Sequence, residues 1–349
     1  MRLNELSSKL SQWFSPQAPL SDIVISSRIR LARNLSGHKF ISRCNDEQKQ
    51  QILQILKETI LSLSELGDIF FIDIAHGSSL ERDLLVERQL ISRNLAAGKG
   101  PRGVVIAKNE LFAAQINEED HLRLGVLAAG LNLDKCWQRI NDIDDAIGRK
   151  IEYAFSPKLG FLTACPTNLG TGIRVSVMLH LPGLKMTDQL KKLFEAAKDM
   201  NLAVRGLFGE GTEAVGDFFQ VSNQVTLGIS EEKTVEEFMA VIIPKIVEYE
   251  RLARDRLLVK DANILDDRIS RALAVLKSAR LISSHEAMFL LSNLRMGINM
   301  GRVKEISIDT INELFLLTQP AHLQINKGQN LDAEQRDILR AETLRAKLN

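Results

Sequence analysis

Four short segments of this chain concentrate side chains able to do chemistry. In Ser26-Ser27-Arg28-Ile29-Arg30-Leu31-Ala32-Arg33, an extended backbone would put Arg28 and Arg30 on one side, because strand side chains alternate. Planar guanidinium forks aligned this way suit bidentate contact with phosphate oxygens, although a basic run is also an ordinary solvated face. Asn117-Glu118-Glu119-Asp120-His121-Leu122-Arg123 crowds three acids. Their repulsion raises the proton affinity of at least one of them under partial burial, which is what a general base exploits. The same acids would equally complement the dipole at a helix start. Thr163-Ala164-Cys165-Pro166-Thr167-Asn168-Leu169-Gly170-Thr171-Gly172-Ile173-Arg174 sets a thiol in a polar loop ahead of an arginine. Nearby cations and unpaired N–H groups favour a thiolate, whereas most lone cysteines are small buried hydrophobes. The fourth segment, 204–216, carries Arg205, Glu210 and Glu213 among glycines at 206, 209, 211 and 216, which let backbone approach a ligand closely.

Arginines from several segments, facing acids and one thiol, describe a group-transfer problem. Cations clamp a polyphosphate and stabilise its charge during transfer, while acids orient or deprotonate a cationic acceptor. A guanidinium is such an acceptor, since its pKa above about 12 requires a proton to leave before nitrogen attacks. Other nucleotide motifs do not hold. Gly98-x-Gly100-x-x-Gly103 and Gly209-x-Gly211-x-x-Ala214 imitate the dinucleotide fingerprint, but neither opens a helix after a parallel strand, and no GxxxxGK[ST] occurs.

The elements that must position these groups are read from changes of pattern. The chain has 349 residues, 45% hydrophobic and 26% charged, a length at which one large catalytic domain with a smaller appendage is expected. Its 45 Lys+Arg against 44 Asp+Glu leave a net charge of +1, which argues against a general nucleic-acid binder. No apolar stretch approaches the roughly 20 residues of a membrane span, and the start lacks the apolar run of a secretory signal. Cys44, Cys136 and Cys165 have neither disulfide-framework nor metal-ligand spacing, so a cytoplasmic protein without a metal site of its own is expected. Strand patterns fall at 67–74, 172–179 and 202–205, with hairpins joining 104–107 to 111–116 and 217–221 to 224–228, the second turning at Ser222-Asn223. A long helix is expected from His121 to about Ile151, and another after Thr187. The fold class is therefore α+β, an antiparallel sheet flanked by helices. After Gly228 the pattern is helical throughout, with capping boxes expected at Thr234–Glu237 and Ser283–Glu286. Pattern alone gives a short helical segment over 1–20 and an all-helical second domain over roughly 231–349.

Ser26-Ser27-Arg28-Ile29-Arg30, Asn117 to Arg123, and Cys165 to Gly172 resemble, in this chain order, the motifs of the phosphagen (guanidino) kinases. The resemblance spans about residues 21–254 and implies a short N-terminal helical segment over 1–20, a catalytic domain over 21–254 and a helical C-terminal domain over 255–349. Within that superfamily the chain is most similar to bacterial protein-arginine kinases of the McsB type. Arg28 arrives too early for the helical substrate domain that precedes it in creatine and arginine kinases, and Phe208 stands where small-guanidino kinases carry a further arginine. The tail Arg336-Asp337-Ile338-Leu339-Arg340-Ala341 is similar to the RDxxRA phosphoarginine-binding motif.

The resemblance implies a catalytic fold like that of glutamine synthetase and ATP as phosphoryl donor, with Mg²⁺ bridging its phosphates. Ser26, Ser27, Arg28, Ile29, Arg30, Gln89 and Arg123 would bind nucleotide. So would Arg174, Val175, Ser176, Val177, Met178, Arg205, Gly206, Leu207, Phe208, Gly209 and Glu210. Gln89 replaces a nucleotide-contacting His of the family and keeps a donor without its charge. Glu119 would deprotonate the substrate guanidinium, aided by Glu118 and by Glu210 or Glu213, with Cys165 as a thiolate beside it. Arg336 to Ala341 would form an allosteric phosphoarginine pocket. Implied partners are proteins with exposed arginine, a second copy of the chain joined through the C-terminal domain, a zinc-containing activator, a heat-shock repressor and a Clp-type protease. A kinase of free arginine or another small guanidino compound, and an inactive phosphoarginine-binding relative, are the alternative readings.

Overall fold

The computed structural model describes residues 6–7, 10–206 and 215–349. The chain runs through β1 (Val24–Arg33), α1 (Asp46–Leu61), β2 (Ile69–Asp73), α2 (Ser79–Glu87), α3 (Arg93–Ala97), β3 (Gly103–Ala107), β4 (Phe112–Ile116) and β5 (Leu122–Ala129). It continues through α4 (Leu133–Gly148), the short ribbon β6 (Phe155–Ser156) and β7 (Gly160–Phe161), β8 (Ile173–His180), α5 (Pro182–Met186), α6 (Leu190–Asp199), β9 (Leu202–Gly206) and β10 (Phe218–Asn223). Eight of these strands form one antiparallel sheet in the order β2-β3-β4-β5-β1-β8-β10-β9. Helices follow to the end: α7 (Glu231–Glu237), α8 (Ile243–Lys260), α9 (Ala262–Ser278), α10 (Ser284–Asn299), α11 (Ile308–Leu317), α12 (Pro320–Lys327) and α13 (Ala333–Leu348).

Alternation along the central strands divides their labour. Ile29, Leu31, Leu124, Val126, Val175, Val177 and Val221 are buried in a core that also takes Ile52 and Leu56 of α1 and Ile140 and Ile143 of α4. Between these apolar positions stand Arg28 and Arg30 on β1, Arg123 on β5 and Arg174 on β8, directed to the opposite face. At the far end of that face Leu127 and Met178 are apolar instead, and join a second core with Leu265, Leu291, Phe315 and Leu344 of the C-terminal helices. One sheet face thus carries a polar half and an apolar half, and the C-terminal helices cover the apolar half.

Three local expectations are corrected. His121 does not open a helix: it closes the β4–β5 hairpin loop 117–121, Leu122–Ala129 is a strand, and the helix begins at Leu133. Gly130, at φ +61°, separates the two, and a helix cannot pass through a residue so placed. Residues 224–228 form no strand. β10 runs straight through Ser222 and Asn223 between β8 and β9, and these supposed turn residues instead bind β8: Ser222 Oγ accepts from Arg174, and Asn223 Oδ1 from Val175 N–H at 2.8 Å. The helix expected to start at Thr234 starts at Glu231, capped by Ser230, whose hydroxyl accepts from Lys233 N–H. α8 continues without interruption through 254 and 255, and the chain turns only at Asp261. Within 1–20 the described residues show helix at Leu6 and Ser7 and a single 3₁₀ turn, Gln12–Phe14.

Because Ser230 supplies the side-chain cap of α7, Ser230→Ala should lower unfolding free energy by about 1 kcal/mol, read from the urea midpoint at unchanged slope.

Candidate active site

The polar half of the sheet face floors a cleft of about 630 Å³. Register explains the arginine cluster. Arg30 lies directly opposite Arg174 across the β1–β8 ladder, Arg123 opposite Ala32 across β1–β5, and Arg205 opposite Gln220 across β9–β10. Arg28 and Arg30, two residues apart, complete the set, and all five arginines line the cleft. Guanidinium groups so crowded oppose one another. Burial first, and then Arg123, push the Arg28 pKa down to about 10, against the pull of Glu118. Burial, Arg28, Arg123 and Arg174 press Arg30 well below its ordinary value. The Nε atoms of Arg28 and Arg30 are buried and have no hydrogen-bond partner among the described residues. Such donors, set among crowded cations, suit a polyanion with several oxygens.

The acids come from the tip of the β4–β5 hairpin. The Glu118 side chain is 3% exposed and accepts from Arg123 Nη1 at 2.6 Å and from Ser92 Oγ. Burial works against its charge, but Arg123, the Ser92 hydroxyl and Arg30 outweigh it and hold the carboxyl below its ordinary range. Glu119, one residue on, sits at the cleft rim and moves the other way. Burial, followed by the charges of Asp120 and Glu118, raises its pKa, with Arg123 and a hydrogen bond from Cys165 opposing. Adjacent carboxylates driven apart in proton affinity are the arrangement of an acid–base site: Glu118 stays ionised as an electrostatic anchor, and Glu119 can take up a proton.

Asp120 holds the two reactive neighbours in register. Its Oδ1 accepts from Asn34 Nδ2 and from Ala164 N–H, both at 2.7 Å, so the residue after Glu119 is tied to the residue before Cys165. Asn34 also donates to Leu162 O, and Thr226 Oγ1 to Thr167 O and Leu169 O, fastening both flanks of the thiol loop. Cys165 is half-buried, with Thr167 Oγ1 3.0 Å from its sulfur. His121 is structural: its Nδ1 accepts from Leu35 N–H and its Nε2–H donates to Lys39 O, while burial keeps its pKa low.

Of the residues singled out in sequence, Arg28, Arg30, Gln89, Glu118, Glu119, Arg123, Cys165, Arg174 and Arg205 come together in this cleft. Gln89 is held at φ +63° just after α2. Ile29, Val175 and Val177 have fully buried side chains on the core face, Met178 belongs to the C-terminal core, and Ser27 Oγ donates to Gly130 O. Ser26 is buried and Ser176 Oγ donates to Arg28 O, behind the arginines rather than in the cleft lining. Gly206 ends β9, and Leu207, Phe208, Gly209, Glu210 and Glu213 lie outside the described residues. In the tail, Arg340 is 1% exposed and donates to Thr318 O, Ile282 O and Asp337 Oδ1, while Arg336 donates to Leu331 O. Asp332 and Gln335 form a capping box at the start of α13. Sequence reasoning missed Ser92, Asn34, Asp120 as a clamp, and Thr226. Of these only Ser92 had a signal, a serine placed to cap α3.

The model for the ATP:guanido phosphotransferase C-terminal catalytic domain matches residues 51–253, and that for the protein-arginine kinase McsB C-terminal domain matches residues 262–349. The chain belongs to the ATP:guanido phosphotransferase family. The protein-arginine kinase of Desulforamulus reducens is 42% identical, the match covering 100% of this chain and 99% of that one. That of Halothermothrix orenii is also 42% identical, with 100% of each chain covered. Among solved structures, the duplicated taurocyamine kinase of Schistosoma mansoni with transition-state-analogue components matches with TM-score 0.62 and 29% identity, over 70% of this chain and 35% of that longer one. A lombricine kinase matches with TM-score 0.59 and 25% identity over 70% of each. The phosphagen-kinase fold, an antiparallel sheet flanked by helices with a helical C-terminal region, is shared.

The crowded arginines make a prediction with opposite signs in the two states. Without nucleotide, Arg30→Met should raise the thermal midpoint, because it removes a buried cation from a repelling cluster. With ATP at about 100 Kd, the native protein should gain about 2.7 kcal/mol and the variant much less.

Proposed function

We infer that this protein transfers the γ-phosphoryl group of ATP to arginine side chains of proteins. The observation that carries the inference is the convergence of the arginine cluster on the Glu119–Cys165 pair in one cleft. Arg28, Arg30, Arg123 and Arg174 hold the triphosphate and stabilise the charge that grows on the leaving ADP. Glu119 orients the incoming guanidinium and accepts a proton from its attacking nitrogen, with Cys165 beside it. The new N–P bond forms as the bond from the γ-phosphorus to the bridging oxygen breaks, and the electron pair leaves with ADP. Glu118, paired with Arg123, keeps that arginine in place. Mg²⁺ bound through the phosphates would neutralise part of their charge; among the described residues no cluster of three His, Cys, Asp or Glu could hold a metal.

A protein substrate is the first reading because the full-length relatives carry that name and because the McsB C-terminal domain is present. The likeness to taurocyamine and lombricine kinases keeps a small guanidino acceptor as the second. We further propose that the tail Arg336–Ala341 responds to phosphoarginine. Arg340 is clamped between carbonyl oxygens from two neighbouring segments, Thr318 and Ile282, and Arg336 stands one turn away on the same helix. A homodimer through the C-terminal helices fits the exposed Leu252, Val259 and Ile264, and marking of substrates for a Clp-type protease fits the modification. No helix among the described residues is long and apolar enough to cross a membrane.

Incubation with ATP and either free arginine or an arginine-containing protein, followed by phosphosite mapping at neutral pH, should find phosphate on protein arginines; phosphorylation of the free amino acid alone would overturn the reading. Glu119→Gln should lower turnover by about 10²- to 10⁴-fold. Asp120→Asn keeps a carbonyl acceptor for Asn34 and Ala164 while removing a charge that raises Glu119, so the acidic limb of the pH–rate profile should move to lower pH. Arg336→Ala should abolish any stimulation by phosphoarginine-bearing protein while leaving unstimulated turnover intact.

A further inference from the structure

The C-terminal helices touch the catalytic half through a buried polar junction that the reaction itself does not use. Glu87, the last residue of α2, receives Ala321 N–H at 2.8 Å on Oε1, and His322 N–H and His322 Nδ1–H on Oε2 at 3.1 and 2.8 Å. These are N–H groups of the first turn of α12, whose own N-cap residue, Gln319, makes no side-chain cap. A carboxylate from a distant segment therefore caps this helix, and α12 presents its positive end to it. The next residue, Arg88, is fully buried. Its Nε and Nη2 form a fork on Glu110 at 2.7 and 2.6 Å, Nη2 also reaches Ser11 Oγ, and Nη1 approaches His322 Nε2 at 3.1 Å. With Nδ1–H committed to Glu87, Nε2 is the acceptor for Arg88, so the ring bridging the two residues is neutral. Burial keeps it so, the nearby Glu87 and Glu110 carboxylates being opposed by the Arg88 charge.

Immediately after this pair the chain becomes the cleft wall. Gln89 sits at φ +63° with its N–H on Val86 O, and Leu90 N–H returns to Leu85 O, so the turn is built directly on the end of α2. Ile91 and Ser92 follow into the cleft lining, where Ser92 N–H meets Gln115 Oε1 and Ser92 Oγ meets Glu118. A left-handed conformation at a non-glycine residue costs energy and persists where its surroundings over-determine it. Glu87, anchored on the first turn of α12, and Arg88, forked on Glu110 and touching His322, contribute to that constraint.

We propose that Glu87 and His322 are positioning residues through which the C-terminal helices set the Gln89–Ser92 wall for nucleotide binding. This rests on the kinase reading above for the identity of the ligand, and on the junction's geometry for everything else.

The test uses the full chain and ADP binding by calorimetry, which needs no turnover, together with steady-state KM values for ATP and for an arginine-containing protein. In Glu87→Gln an amide NH₂ replaces one of two oxygens that accept N–H groups. ADP affinity and the ATP KM should each worsen by about tenfold, from loss of charge-assisted bonds, with the protein-substrate KM changed less than about twofold. A folded Glu87→Gln protein with native ADP affinity, or with both KM values rising together, overturns the proposal. His322→Gln and His322→Asn form a second pair, needed if Glu87→Gln does not fold. The Gln carbonyl can reach the place of Nε2 and still accept from Arg88, whereas Asn ends at the place of Nδ1 and cannot. His322→Gln keeps the Arg88 contact and loses only the Nδ1–H bond to Glu87, which still receives two backbone N–H groups, so it should lose less ADP affinity than His322→Asn; equal or reversed effects contradict the proposal. Absence of ATP turnover in the native protein, with ADP affinity still falling as described, would sink the kinase reading and leave the positioning role standing.

Discussion

Repulsion among guanidinium groups is the constraint around which the rest of this molecule is arranged. Arg28, Arg30, Arg123 and Arg174 stand on three adjacent strands, close enough for burial and mutual charge to depress the proton affinity of Arg28 and Arg30. Among the described residues the buried carboxylate of Glu118 stands against them, paired with Arg123. A fold holding such a cluster needs a rigid support, and the central antiparallel strands provide it: apolar residues between the arginines lock the opposite face into the main core. In the proposed reaction a bound triphosphate would relieve the crowding of these cations and gain affinity from it.

The acid–base role proposed for Glu119 draws on the same geometry. Glu118 and Glu119 are neighbours in sequence, but the hairpin tip turns one toward Arg123 and the other toward the cleft rim beside Cys165, and their proton affinities separate. The clamp at Asp120 then ties the hairpin to the thiol loop, so base and thiol keep a common register although they are far apart in the chain. Asp120 also contributes charge to the rise at Glu119, so one residue sets both position and proton affinity.

Much of this was legible in sequence, and the failures have physical causes. The chemistry-bearing residues of β1, the acid hairpin, the thiol loop and β8 were recognised from type and spacing, and the structure gathers them. Strand alternation predicted that Arg28 and Arg30 share a side, and by the same rule it removes Ile29, Val175 and Val177 from the cleft. The helix expected from His121 failed because Leu122–Ala129, rich in Leu and Ala, suits either period, and its antiparallel partners β1 and β4 decide the outcome. The strand expected at 224–228 failed because Ser222 and Asn223, good turn formers in isolation, serve as side-chain partners of β8. Ion pairs between distant segments, such as Arg88–Glu110, leave no local trace at all.

The most direct test is a crystal structure of the full chain with ADP and an arginine-containing peptide. The account predicts nucleotide phosphates against the Nε atoms of Arg28 and Arg30 and beside Arg123 and Arg174, with the peptide guanidinium within hydrogen-bond reach of Glu119 and next to Cys165. Nucleotide bound away from this sheet face, or a peptide arginine held by other residues, would contradict it.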